Sequence, residues 1–109
     1  MTWTVQFEED FEREFDLLPA EVQDSLYAKA TFLEEFGPEL GRPHVDTLQG
    51  SEYANMKELR FNAMDGVWRV AFAFDPLRRA ILLVAGDKSG VSQKRFYQQL
   101  IKSADRRFT

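Results

Sequence analysis

Three basic residues in the second half of the chain, Arg60, Arg69 and Lys88, lie in or directly after stretches that read as β-strands. Guanidinium groups bind phosphate oxygens in a two-pronged fork, and an ammonium group acts as a compact point charge. When a ribose 2′-hydroxyl attacks its own 3′-phosphate, negative charge accumulates on the phosphate oxygens, and cations held in place lower that barrier. These residue types therefore predict phosphoryl-transfer chemistry on RNA.

The alternation of side chains along two strands places both arginines on one face of a sheet. From Val67 to Phe74 the core side holds Trp68, Val70, Phe72 and Phe74, and the other side holds Val67, Arg69, Ala71 and Ala73. From Met56 to Phe61 the same alternation turns Glu58 and Arg60 toward Arg69. The small alanines predict a hollow beside the Arg69 guanidinium. Glu58 leaves a second interpretation open, a structural ion pair with Arg60 or Arg69.

Three further residues are candidates for binding RNA. Lys57 opens the first of these strands, but alternation does not fix which face it occupies. Arg95 and Tyr97 fall early in the last predicted helix. Each of these two, taken alone, also fits an ordinary helix surface.

Several other chemistries are excluded or disfavoured by the sequence. The chain has no cysteine and one histidine, so a thiolate nucleophile and a two-histidine ribonuclease are excluded. His44 follows Pro43 in a predicted loop, where a solvated or capping role is expected. The glycines match no nucleotide-binding loop, and Asp65, Asp75 and Asp87 stand in separate turns. We therefore expect no metal and no cofactor.

The elements that must position these residues predict an α+β fold in the order β-α-α-β-β-β-α. A strand at Trp3–Phe7 precedes a helix with Phe11 and Phe15, and Pro19 starts a second helix that ends at Gly37-Pro38. Its buried stripe is predicted to be Val22, Leu26, Ala30 and Leu33, closed by Phe36. Strands Met56–Phe61, Val67–Phe74 and Ala80–Gly86 follow, and Ser92 caps the last helix. Short connections predict an antiparallel sheet of about four strands, with Val45–Leu48 as a further extended piece.

Length and charge limit the kind of protein this is. The 109 residues make one domain, residues 1–109, and the N-terminus lacks the pattern of a signal peptide. With no apolar run long enough to cross a bilayer, we expect a cytoplasmic protein without membrane contact. Residues 1–56 carry 13 acidic and three basic side chains, whereas residues 57–109 carry 11 basic and five acidic ones. This asymmetry favours a polyanionic partner for the second half.

Three short motifs in order resemble the RelE/HigB toxin superfamily, most closely its phage-derived HigB-type branch. They are Lys57-Glu58-Leu59-Arg60, Val67-Trp68-Arg69-Val70 and Gly86-Asp87-Lys88. The resemblance covers nearly the whole chain and implies a RelE-like fold with two N-terminal helices and one C-terminal helix. It also implies a type II toxin that cleaves mRNA on the ribosome without metal, leaving a 2′,3′-cyclic phosphate.

The resemblance assigns roles to individual residues. Arg60 and Arg69 match the strand arginines that stabilise the scissile phosphate, Lys88 matches the basic residue after the last strand, and Lys57 matches the position that opens the first. Tyr97 is a possible counterpart of a C-terminal residue that stacks on or protonates RNA. The implied partner is a helix-turn-helix antitoxin, in a toxin–antitoxin hetero-oligomer.

Two features depart from the family pattern. The net charge is −4, whereas family toxins are usually basic, and no general base is evident. Lys57, Lys88 or the substrate itself are the alternatives for proton transfer. These departures motivate a second hypothesis, a non-catalytic binding module of the same fold, such as an inactivated toxin that acts through a protein partner.

Overall fold

The computed structural model describes residues 2–109 as one sheet with helices on both of its faces. The strands and helices are β1 (Thr4–Phe7), α1 (Glu9–Asp16), α2 (Ala20–Phe36), β2 (Val45–Thr47), β3 (Met56–Ala63), β4 (Gly66–Phe74), β5 (Arg79–Asp87) and α3 (Gln93–Phe108). A single 3-10 turn, Gly37–Glu39, follows α2. Within residues 2–109, no helix is long and apolar enough to cross a membrane.

The sheet has five strands in the order β1-β5-β4-β3-β2. The α+β class and the element order are confirmed, and the extended piece at Val45–Thr47 is a fifth strand, paired with β3. The sheet is mixed rather than wholly antiparallel, because β1 runs parallel to β5. The strand that follows α2, β2, forms the opposite edge of the sheet, and β1 pairs with a strand that comes more than 70 residues later.

One face of the sheet, which we call the aromatic face, packs against α1 and α2. Its buried residues include Phe11, Phe15, Val22, Leu26, Leu33, Leu59, Phe61, Val70, Phe72 and Leu82. The predicted stripe of α2 is confirmed, except that Phe36 is 46% exposed, because α2 ends there and no longer covers the sheet. Gly37 ends α2 at a φ of 54°, where a Cβ would lie 2.3 Å from the Trp3 indole nitrogen. The glycine thus allows α2 to end against the start of the chain.

The opposite face, which we call the α3 face, carries a second and smaller core. It is formed by Leu48, Met56, Ala71, Ala73, Leu83, Phe96, Leu100 and Ala104. The hollow predicted beside Arg69 is therefore largely filled, because α3 packs on the small alanines of β4. Gly86 permits this approach, since a Cβ there would lie 2.8 Å from the Phe96 ring. The part of the α3 face that α3 leaves uncovered lies next to Tyr97, and it is the part of this face that can hold a site.

Candidate active site

Arg60 of β3 and Arg69 of β4 lie directly opposite each other in the antiparallel register. Both side chains leave the sheet on the α3 face, as predicted from the alternation. Two guanidinium groups on directly opposed positions repel each other unless anions lie nearby. The site is therefore built around a pair of positive charges that an anion would stabilise.

Arg69 forms the floor of the site together with Glu58. Only 5% of Arg69 and 6% of Glu58 are exposed, and the Arg69 Nε lies 3.6 Å from the Glu58 Oε1. The Tyr97 hydroxyl donates a hydrogen bond to the same oxygen at 2.7 Å, and Arg69 Nη1 donates to the Trp68 carbonyl at 2.9 Å. The buried Arg69 Nε has no hydrogen-bond partner among the described residues. The predicted structural ion pair exists, and it involves Arg69.

Arg60 is more open, with a quarter of its side chain exposed. Its Nη1 lies 3.6 Å from Asp46 Oδ2, and the same carboxylate oxygen accepts hydrogen bonds from Arg42 Nε and Nη2 at 3.1 and 2.5 Å. The hydrogen bond from Arg42, with that from the Thr47 amide, lowers the pKa of Asp46. Asp46 is thus shared between two arginines, and Arg60 keeps donors for a ligand.

Two clefts meet at Arg60. The first, of about 490 Å³, we call the Lys29 cleft; it is lined by Ser25, Ala28, Lys29, Pro43, Arg60, Phe61, Asn62 and Arg69. The second, of about 430 Å³, we call the Tyr97 cleft; it is lined by Arg42, Asp46, Thr47, Leu48, Gln49, Glu58, Arg60, Lys88, Gln93 and Tyr97. The three predicted catalytic residues are thus divided, with Arg69 in one cleft, Lys88 in the other and Arg60 in both.

Lys88 enters the Tyr97 cleft directly after β5. Its backbone N–H donates to the Val67 carbonyl at 2.8 Å, and its Nζ lies 5.8 Å from the centre of the Tyr97 ring. Burial lowers the pKa of Lys88, and the positive charges of Arg69 and Arg60 lower it further, against the opposing effect of Glu58. The structure therefore brings Lys88 within electrostatic reach of both arginines, and it makes this ammonium group easier to deprotonate.

Tyr97 reaches the site from the first turns of α3. Ser92 begins this helix by accepting a hydrogen bond from the Arg95 amide, and Phe96 anchors it in the smaller core. Burial raises the pKa of Tyr97, and its hydrogen bond to the Glu58 carboxylate raises it further. The phenol therefore stays protonated at neutral pH and acts as a hydrogen-bond donor.

Two of the predicted RNA-binding residues do not join this group. Lys57 pairs with Thr47 and Phe72, which places it with Leu59 on the aromatic face, away from Arg60. Arg95 is exposed on α3 and does not line either cleft. The ambiguity of Lys57 is resolved by the register, because it pairs Lys57 with Phe72 of the aromatic face, and directly opposed residues of paired strands share a face.

Lys29 and Arg42 were missed by the sequence analysis, because both lie in the acidic half of the chain. Lys29 comes from α2, and its Nζ is 2.8 Å from His44 Nδ1. His44 is half-buried and packs on Phe32, so it is neither solvated nor a cap. Across residues 2–109, no group of three or more histidine, aspartate and glutamate side chains converges as a metal site would require.

Sequence comparisons place the chain among phage-derived proteins. Residues 13–109 match the family model described as phage-derived protein Gp49-like. Two proteins of Mycobacterium tuberculosis, named as candidate toxins HigB2 and HigB3, are 46% identical over 92 residues and 47% identical over 96 residues. The matches cover 84% and 88% of this chain. The chain spans 45% of the length of HigB2 and 82% of the length of HigB3.

A structural comparison agrees on the fold. The Escherichia coli toxin RelE, in a free-state structure with two arginines replaced by alanine, superposes with a TM-score of 0.71 over the full length of both chains. The sequence identity is 14%, so this likeness concerns the fold alone.

Proposed function

Because this chain belongs to the phage-derived Gp49-like family of RelE/HigB-type toxins, we propose that it is the toxin of a type II toxin–antitoxin system and cleaves mRNA on the ribosome. The single observation that carries this proposal is the position of Arg60. It lies at the junction of two clefts, opposite Arg69 and beside Lys88. Arg69 lines one cleft and Lys88 the other, so Arg60 stands between two further cations, which suits the charge that develops on a phosphate under attack.

The reaction that fits this arrangement is an internal transesterification. The ribose 2′-oxygen forms a bond to the adjacent phosphorus, and the bond from phosphorus to the 5′-oxygen breaks. The products are a 2′,3′-cyclic phosphate and a 5′-hydroxyl. We assign the stabilisation of the phosphate oxygens to Arg60 and Arg69. The ion pair with Glu58 positions Arg69.

Proton transfer is assigned to Lys88. The 2′-hydroxyl must lose a proton and the leaving 5′-oxygen must gain one. A catalytic group works best when its pKa approaches the working pH, and the pKa of Lys88 is lowered by burial and by the two arginines. Lys57 is not assigned this role, since it faces the other side of the sheet.

The proposal extends to conditions and partners. The cations of the site supply the positive charge that a metal would otherwise provide, so we propose that cleavage needs no metal. The site of action is translating mRNA, hence the cytoplasm. The proposed partner is a helix-turn-helix antitoxin that covers the Arg60 region and forms a hetero-oligomer with the toxin.

One observation favours a second candidate, a non-catalytic binding module. Glu58 lies against Arg69 and neutralises one of the two strand arginines. A substrate phosphate would have to share Arg69 with this carboxylate. If a phosphate cannot displace or share this contact, the chain would bind its partner through the same fold without cutting RNA.

The test is to induce the protein in a bacterial host and to map mRNA 5′ ends across the transcriptome. The inactive control is Arg60→Ala, since Arg60 is open and its removal does not leave a buried charge unpaired, as removal of Arg69 would. Arg106→Ala, an exposed arginine of α3, is the matched control that should behave as wild type.

New ends inside translated codons that vanish in Arg60→Ala would support the endonuclease. Purified protein with ribosomes and mRNA should give the same cuts in excess EDTA. An unchanged map from folded, soluble protein would reject the endonuclease and leave the binding module.

A further inference from the structure

We propose that the Lys29 cleft binds a second phosphate of the RNA backbone, next to the phosphate held at Arg60. This inference rests on the proposed function for the identity of the ligand. It adds Lys29, a residue of the acidic N-terminal half, to the RNA-binding surface. The two clefts share Arg60, so a strand with regularly repeating phosphates can occupy both.

The charges of the two clefts differ in a way that fits this division. Asp46 and Glu58 line the Tyr97 cleft, where they oppose its cations. The described residues that line the Lys29 cleft include three cations, Lys29, Arg60 and Arg69, and no carboxylate. Asp46 and Glu58 contact Arg60 and Arg69 from outside this cleft, so Lys29 supplies the positive charge within it that no ion pair among the described residues offsets, and such a charge stabilises a bound anion.

Lys29 is held in place before any ligand arrives. His44 Nδ1 accepts one of its three donors at 2.8 Å, and the ammonium group lies 5.7 Å from the centre of the Phe32 ring. The carbonyl of His44 accepts the backbone N–H of Arg60 at 2.8 Å. One residue therefore ties Lys29 to the strand that carries Arg60, and Lys29 keeps two donors for a phosphate.

Two further observations support an anion in this cleft. Lys29 is the only basic residue among the 17 of α2, and it is the one that lines the cleft. Arg69 also lines the cleft, and its Nη1 donates a hydrogen bond to the Trp68 carbonyl, so the guanidinium keeps further donors for an anion. RNA is favoured over an acidic peptide because the cleft continues into the site at Arg60.

The test measures binding without cleavage. The probe is an RNA of about 12 nucleotides, methylated at every 2′-oxygen so that it has no nucleophile. Affinity is measured by fluorescence anisotropy between about 50 and 200 mM salt for wild type, Lys29→Gln, Lys29→Arg and Lys102→Gln. Lys102 is an exposed lysine of α3 outside both clefts, so it makes the same charge change elsewhere.

Lys29→Gln should bind roughly tenfold more weakly at low salt. Its slope of log affinity against log salt should fall by about 0.7, the value for one phosphate contact on a single strand. Lys29→Arg should keep the wild-type slope, and Lys102→Gln should change it little. Thermal melts of all four proteins check that each is folded.

Equal slopes for Lys29→Gln and Lys102→Gln would overturn the inference, and so would a wild-type protein that does not bind the probe. The proposed function is judged separately by the map of mRNA ends. If the map shows no cuts while Lys29→Gln alone loses the phosphate contact, the cleft assignment stands and the endonuclease fails. If cuts appear and the slopes are equal, the endonuclease stands and the Lys29 cleft serves another ligand, such as a carboxylate of a partner protein.

Discussion

The two faces of the sheet have different roles: the aromatic face forms the main core, and the α3 face carries the candidate site. On the aromatic face, large side chains from β3, β4 and β5 meet α1 and α2 without a charged residue among the buried ones. On the α3 face, the same strands carry residues of the smaller core at one end, Met56, Ala71, Ala73 and Leu83, and the pair Glu58 and Arg69 at the other. The contrast shows that strand alternation separates the aromatic core from the site within single strands, so that core can be changed with little effect on the site.

The largest loss of stability on the aromatic face is expected from Phe72→Ala. Phe72 is fully buried and packs against Phe74. Truncation of a buried phenylalanine costs about 3–5 kcal/mol of unfolding free energy, so urea denaturation should show a loss of that size. Cleavage per folded molecule should stay at the wild-type level. A selective loss of cleavage with unchanged stability would contradict the separation of the two faces.

On the α3 face, a change of similar size is expected from Arg69→Met. It leaves the Glu58 carboxylate buried beside Tyr97 without its cation, and breaking a buried ion pair costs about 3–5 kcal/mol. The double variant Glu58→Met/Arg69→Met should regain most of that loss, because no unpaired charge remains. Chemical denaturation of wild type, Arg69→Met, Glu58→Met and the double variant gives the coupling energy, and additive losses would show that the pair contributes nothing as a unit.

Ala73→Val tests the packing at the end of the α3 face that α3 covers. Ala73 is fully buried beneath α3, and extra methyl groups in a packed core typically cost about 1–3 kcal/mol. We expect a lower melting temperature with RNA cleavage retained. A stabilised variant would mean that the contact between α3 and the sheet contains unfilled space.

Tyr97→Phe tests the hydrogen bond at the boundary between core and site. In wild type the folded-state pKa of Tyr97 is raised above its ordinary value of 10.0. Between pH 10.0 and that folded pKa the native state binds more protons than the unfolded chain, so stability falls as the pH rises. The pKa of Lys88 is lowered from 10.5, so below pH 10.5 the titration of Lys88 makes stability rise with pH. The quantity to measure is therefore the difference in stability between the variant and wild type at each pH. The variant should lose the Tyr97 part of the decline, and identical curves would contradict a raised Tyr97 pKa in the folded state.

The smallest effect is expected from Asp87→Asn, next to Lys88. Asp87 accepts hydrogen bonds from the Ser89 hydroxyl and amide and from the Val67 amide, and the Ser89 hydroxyl contributes most to lowering its pKa. The stabilisation is present above the ordinary pKa of 3.8 and is lost as the pH falls through the folded value. It should amount to less than about 1 kcal/mol at this exposed position. Acid titration of stability should be flatter for the variant than for wild type.

The sequence predicted the parts of this molecule that depend on neighbouring residues. The shared face of Arg60 and Arg69 follows from strand alternation and short hairpins, and the buried stripe of α2 follows from helical spacing. Lys57 could not be placed until the register was known. Three other features are long-range contacts: β1 pairs with β5, α3 packs on the alanines of β4, and Lys29 lines a cleft together with Arg60. No local period encodes such contacts, so these parts came only from the structure.

The pairing of β1 with β5 also sets the order in which a growing chain can fold. Translation delivers β1, α1 and α2 first, yet their sheet partners are residues 56–87. Arg60, Lys88 and Tyr97 come together only after α3 has been made, because Tyr97 is on that helix. Since domains generally fold as units, a nascent chain has no assembled site until α3 has been synthesised. The topology thus delays assembly of the candidate site until both β5 and α3 are available.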